Sequence, residues 1–133
     1  MKIIHLHTGA DGRSHLEERE LRLTPGPDGP GIELAGVATG VAVRAVPSGW
    51  SSGYHNAPRR QLVIQLTGTG ELICGDGSSR VVGPGDVVLA DDRAGQGHIS
   101  REVSGPRTQA VIELDPSADL SILFTPEHGG AHG

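Results

Sequence analysis

Between Gly49 and His98 the chain gathers most of the side chains able to move a proton or grip an anion. Trp50 and Tyr54 stand just before His55, Arg59 and Arg60 follow it, and Asp91 and Asp92 come shortly before His98. Imidazole titrates near neutrality, so His55 and His98 can each give or take a proton. An aspartate that reaches His98 across a turn fixes its tautomer and raises its basicity, a role open to Asp92 and to Asp91. Arg59 suits a substrate carboxylate or a developing enolate. Trp50 and Tyr54 can cover a planar or apolar molecule, with Tyr54 as a second acid. Such parts fit proton transfer: isomerisation, epimerisation, cyclisation or elimination. Each also has a plainer role. His55 can line an interior and bond Gln61, Asp91 and Asp92 can cap a turn, Arg59 can pair with a surface acid, and Trp50 can be core.

The elements that must hold these residues read as strands. At 133 residues the chain has the size of one domain. A domain of that length buries roughly two-thirds of its extended surface and needs no staple to form a core. The 21 glycines and 9 prolines suit short strands joined by tight turns. We assign residues 1–126 to a single domain and 127–133 to a flexible tail, whose His128 and His132 only superficially resemble a metal-binding tag.

Composition removes several function classes. A net charge of −5 argues against a nucleic-acid surface, which needs clustered cations. Lys2 is the only lysine, so Schiff-base chemistry on a buried amine is nearly excluded. Cys74 is the only cysteine, which rules out an intrachain disulfide and points to a reducing cytoplasm. With no adjacent base in sequence, Cys74 reads as a small buried apolar residue. The opening MKIIHLHTGADG is too short and polar for a signal peptide, and no run of about 18 apolar residues exists to cross a membrane.

In chain order, Lys2 to His7 reads as a first strand, with His5 and His7 on one face opposite Ile4 and Leu6. A His-x-His pair can chelate a metal, but no third ligand lies nearby in sequence, so we expect a solvent-facing row on an outer strand. Asp11 to Glu20 is polar and can hold a turn of helix, and Glu20 to Leu23 a short strand. TPGPDGPG, residues 24–31, must be a loop. Gly31 to Val46 reads as one or two strands, with Val37, Thr39, Val41 and Val43 on a bulky face. Ala38, Gly40, Ala42 and Arg44 form a small-residue face that leaves room in an interior.

His55 to Leu66 is the next long strand. By parity, His55, Ala57, Arg59, Gln61, Val63 and Gln65 share a polar face, and Leu62, Ile64 and Leu66 an apolar one. A bulge within 56–60 shifts the upstream parity. Thr67 to Gly70 reads as a turn, Glu71 to Gly75 as a strand, Asp76-Gly77 as a hairpin and Ser79 to Val82 as the return. Val87 to Ala90, His98 to Val103, Thr108 to Leu114 and Leu120 to Phe124 follow, with Gly105-Pro106 as a turn.

Many short strands without a long helix indicate an all-β sandwich or barrel. The central stretch goes further and resembles the two sequence motifs of the cupin superfamily. In the first motif, Gly49 is followed at the family's spacing by His55, by Ala57 at the second histidine position, by Gln61 at the glutamate position and by Gly68. In the second, Gly85-Asp86-Val87-Val88-Leu89 fits the glycine-aspartate turn and apolar strand. DDRAGQG replaces the shorter Pro-x-Gly turn before His98. The resemblance covers residues 49 to 101 and implies a cupin-type antiparallel β-barrel, the double-stranded β-helix or jelly roll. It further implies that His55 and His98 face each other across the barrel mouth.

A typical cupin metal site has three histidines and a glutamate. Here His55, Gln61 and His98 stand at matching positions, two imidazoles and a neutral amide, unless Asp91 or Asp92 swings in to supply a carboxylate. The first expectation is therefore a cytoplasmic cupin enzyme doing metal-independent acid–base chemistry on a small molecule, with no cofactor. His55, His98, Asp92 and Tyr54 are its catalytic groups, and Trp50, Arg59, Gln61 and Asp91 bind substrate. A divalent-metal-dependent oxygenase or lyase using Fe, Mn, Ni or Zn is an alternative, and so is a non-catalytic binding or sensing module. Cupins commonly pair through outer strands, which implies a homodimer. The Leu62, Ile64 and Leu66 face can serve that pairing or a second sheet.

Overall fold

The computed structural model describes residues 1–34 and 36–125. The expected tail, with His128 and His132, lies outside the described residues. Among the described residues there are seven strands: β1 Lys2–Thr8, β2 Ser14–Glu20, β3 Ala38–Val46, β4 Gln61–Cys74, β5 Ser79–Val82, β6 Val87–Asp91 and β7 His98–Leu114. One 3-10 turn, Leu120–Ile122, follows where a last strand was expected; Phe124 beyond it makes an isolated bridge to Leu21. The all-β class read from the sequence is the class observed. Among the described residues no helix is long and apolar enough to cross a membrane.

The sheet runs β2-β1-β6-β4-β7-β3, with β5 also paired to β4. Only the β1–β6 pair is parallel. The path does not close on itself, since β2 and β3 stand at its two ends rather than pairing. One edge of β4 is shared: residues 61–64 pair with β6 and residues 70–73 with β5. Along its other edge β4 pairs with β7, and that ladder slips register between Gln65 and Gly70. Extra residues in a ladder bend it and increase its twist, which curls the sheet around an interior. Gly68 sits at one slip with φ +75°, where a Cβ would come within 2.5 Å of Pro106 O. Only glycine fits there.

Two expectations about elements change. Ser14–Glu20 is a strand and not a turn of helix, paired with β1 from Lys2↔Glu20 to Thr8↔Ser14. Its polarity follows from its place at the end of the sheet, where Leu16 packs inward and most of the other side chains are partly or fully open to water. The turns expected at Thr67–Gly70 and at Gly105-Pro106 lie inside the long strands β4 and β7.

Strand alternation divides the apolar residues into two cores. Ile3, Leu62, Leu89, Leu114, Leu123 and Phe124 form one. Leu62 thus belongs to a core rather than to an outer pairing surface, whereas Leu66 is half-exposed. Ile4, Leu6, Cys74, Val82 and Val88 form the other, which floors an open cavity. The small-residue face expected on β3 is not enclosed. Most of β3 is exposed, and Val41 and Val43 point to solvent.

Candidate active site

The cavity measures about 330 Å³ and takes its walls from β3, β4, β7 and the segment 47–58. Gln61, Val63 and Gln65 all line it, as the shared parity on β4 requires. Upstream, His55 and Ala57 line it too, but Arg59 does not. β4 begins at Gln61, and His55 reaches the sheet only through an isolated bridge to His98. That bridge is a reciprocal pair, His55 N–H to His98 O and His98 N–H to His55 O, each 2.9 Å. Side chains of directly paired residues project to the same side. Both rings accordingly line the cavity, with centroids 4.5 Å apart and planes tilted by 50°.

The segment that carries His55 is tied to the 92–98 loop by three hydrogen bonds from Asn56 Nδ2, to the carbonyls of Asp92, Ala94 and Gly95 at 3.0–3.2 Å. Gly97, at φ +79°, lets the two segments touch. A Cβ there would lie 2.1 Å from His55 O. Asn56 was not singled out in the sequence, because its role depends on loop carbonyls that no spacing rule locates.

Each imidazole has one nitrogen fixed. His98 Nδ1 lies 2.6 Å from Asp92 Oδ2, and His55 Nδ1 lies 3.1 Å from the carbonyl of Gly53. Carboxylate and carbonyl oxygens only accept, so each Nδ1 carries hydrogen and each neutral ring keeps its lone pair on Nε2. Asp92 is wholly buried and also accepts from Ser14 Oγ at 2.6 Å. It does not line the cavity; it reaches it only through His98, as a positioning group.

The other candidates divide. Trp50 lines the cavity with one edge open to solvent. Tyr54 is half-exposed and lies outside the lining. Arg59 is corrected: it pairs with Glu113 at 2.8 Å on an exposed surface and does not face the cavity. The irregular backbone before Gln61 breaks the alternation that placed it there. Asp91 is corrected likewise. It accepts from Arg60 Nε at 3.1 Å and Arg93 Nε at 2.9 Å, away from the cavity. Asp91 and Asp92 are neighbours on an extended segment, so only one of them can turn toward His98. Cys74 is buried without a base beside it, and burial pushes its thiol pKa up.

Arg107 takes the place that Arg59 was expected to fill. It lines the cavity, is only 3% exposed, and pairs with no carboxylate among the described residues. Its Nη2 donates to Trp50 O at 3.2 Å, its guanidinium lies 6.0 Å from the Trp50 ring centroid, and its Nε has no partner. The one acid in the lining, Glu71, is taken by Arg101. Gln61 Oε1 is also buried without a donor. Sequence reading missed Arg107 because it follows Gly105-Pro106, which reads as a turn. A single strand through that turn puts it on the cavity wall.

No protein-family model and no curated protein sequence matches the chain. Among solved structures, the chain is similar to a protein of Ralstonia eutropha JMP134, provisionally assigned as a mannose-6-phosphate isomerase. The identity is 15%, the coverage 86% of this chain and 85% of that one, and the TM-score 0.37.

Proposed function

We propose that the chain is an enzyme that moves protons on a small anionic organic molecule, without a metal, in the cavity between β3, β4 and β7. One observation carries this reading: two imidazoles touch on one cavity wall, and a buried carboxylate orients one of them. In the neutral state His98 Nε2 takes a proton from carbon next to a carbonyl. Asp92 holds the Nδ1–H in place and stabilises the imidazolium that forms. His55 Nε2, whose lone pair is free, takes that proton over from the His98 imidazolium and delivers it to an adjacent atom, which leaves both rings neutral again. Arg107 binds a carboxylate or phosphate and stabilises charge that builds up on a substrate oxygen.

The geometry favours some reaction types over others. Inversion at one carbon by two bases needs them on opposite faces of the substrate, whereas rings 4.5 Å apart approach from the same side. Isomerisation, cyclisation and syn elimination fit better than epimerisation.

A divalent metal held by His55, Gln61 and His98 is the second reading, favoured by the orphaned Gln61 Oε1. The donor set does not fit it. Two imidazoles and an amide lack a carboxylate to balance charge, since Asp92 lies behind His98 outside the cavity lining and Asp91 is held by two arginines.

The test is deuterium uptake from D2O into a panel of carboxylate- and phosphate-bearing α-hydroxycarbonyl compounds. Uptake into at least one compound is expected. Binding across the panel with no uptake would replace the enzyme by a binding or sensing module.

A further inference from the structure

A second cluster of ligand-type side chains lies on the opposite face of β1 from the cavity. Leu6 lines the cavity, so His5 and His7 project away from it by strand alternation. The sequence expectation of a solvent-facing histidine row is corrected here. β1 lies between β2 and β6, Phe124 covers His5 at a ring separation of 5.6 Å, and His5 is only 8% exposed. Among the described residues neither His5 nitrogen has a hydrogen-bond partner. A buried imidazole must carry at least one N–H, and leaving both nitrogens unpaired is costly. A group outside the described residues is the natural partner.

The third ligand comes from β2. Glu17 is paired directly opposite His5, and its Oε2 lies 3.4 Å from His7 Nε2. One donor atom from each of His5, His7 and Glu17 lies within 4.8 Å of the others. Metal bonds of about 2.0–2.1 Å put neighbouring tetrahedral ligands about 3.3–3.4 Å apart, so one edge of the site already has ligand spacing. The other two edges, at up to 4.8 Å, must shorten when an ion binds. His15, stacked on His7 at 6.0 Å, is no ligand, because Asp11 and Asp76 take its two nitrogens.

From this geometry we propose that His5, His7 and Glu17 form a binding site for a divalent transition ion of the zinc, cobalt or nickel class. Two nitrogen donors and one carboxylate exclude calcium and magnesium, which take oxygen ligands. His7 and Glu17 are part-exposed, so the remaining coordination position opens to water. The charged neighbours are Asp91, which favours a cation, and Arg19, which opposes one and stacks on Phe124 at 4.2 Å. The site is separate from the cavity and does not depend on the function proposed for it. It also ties the outermost strand, β2, to the sheet interior.

The test is Co(II) titration of the untagged full chain after chelator treatment, followed by visible d–d absorption. One Co(II) per chain is expected, and it should persist in His55→Gln/His98→Gln and in His128→Ala/His132→Ala. Loss of an outer-shell partner already costs roughly 10–100-fold in affinity, so His7→Ala and Glu17→Gln should each cost about 100-fold or more. Both positions are part-exposed, and melting in chelator should stay unchanged. Absence of Co(II) binding overturns the proposal. So does binding that survives both ligand substitutions, or binding lost with the cavity or tail histidines.

Discussion

Replacing Asp92 with asparagine separates the hydrogen-bonding role of this residue from its charge. The carboxylate is acceptor-only, so it requires Nδ1–H on His98 and an O–H donated by Ser14, both at 2.6 Å. The amide can satisfy the same neighbours in two ways. Its oxygen can accept from Nδ1–H, or its NH2 can donate to a bare Nδ1 and shift the ring hydrogen to Nε2. Ser14 adapts to either, since a hydroxyl both donates and accepts. Hydrogen bonds to a charged group contribute about 1.5–3 kcal/mol and neutral ones about 1, so two bonds together lose about 2 kcal/mol.

Asp92→Ala is harsher, because it strands two buried polar groups, and should cost about 3–5 kcal/mol. Denaturant unfolding measures both. Two-bond 1H–15N correlation spectra of the histidine rings read the tautomer directly. The wild type should show His98 as Nδ1–H, and Asp92→Asn should show a mixture or the Nε2–H form. An Nε2–H ring in the wild type would refute the role given to Asp92.

Gly97→Ala puts a Cβ 2.1 Å from His55 O at φ +79°. It should cost at least about 2 kcal/mol by denaturant unfolding and broaden the His55 ring signals, because the two site segments can no longer touch. Arg107→Gln removes a buried guanidinium with no acidic partner. Inorganic phosphate binding, followed by calorimetry, should weaken about 10–100-fold, the equivalent of one or two charge-assisted hydrogen bonds. Binding that is unaffected would remove Arg107 from the anion site. Burial holds the Cys74 thiol pKa above its ordinary value. Ellman's reagent at pH 8 should therefore react only after denaturant is added, and rapid labelling of the folded chain would contradict that burial.

The sequence carried the all-β class and the sharing of one cavity by His55 and His98, but the two rings are bridged neighbours on one wall and do not face each other across a barrel mouth as expected. Alternation on β4 marks Gln61, Val63 and Gln65 as one face, and turn residues such as Asp76-Gly77 mark hairpins wherever strands are regular. What escaped lay where the backbone is irregular or the contact is long-range. Arg59 was misplaced because residues 55–60 are not a strand, and Arg107 was overlooked because β7 runs through an apparent turn. His5 was taken for a surface residue because its cover, Phe124, and its partner strand, β2, come from segments whose proximity no local pattern records. Glu17 became a neighbour of His7 only through that same strand pairing.

The proposal that His55 and His98 act together on one molecule is tested most directly by the deuterium-exchange rates of four proteins. These are the wild type, His55→Gln, His98→Gln and the double variant, each assayed on the compound that the wild type exchanges fastest. A positioned acid or base contributes about 10²–10⁴-fold, so each single substitution should lower the rate by that much. The double variant should be no slower than the worse single one, because the two rings work as a unit. Exchange that persists in both single variants, or losses that multiply in the double variant, would contradict the shared role.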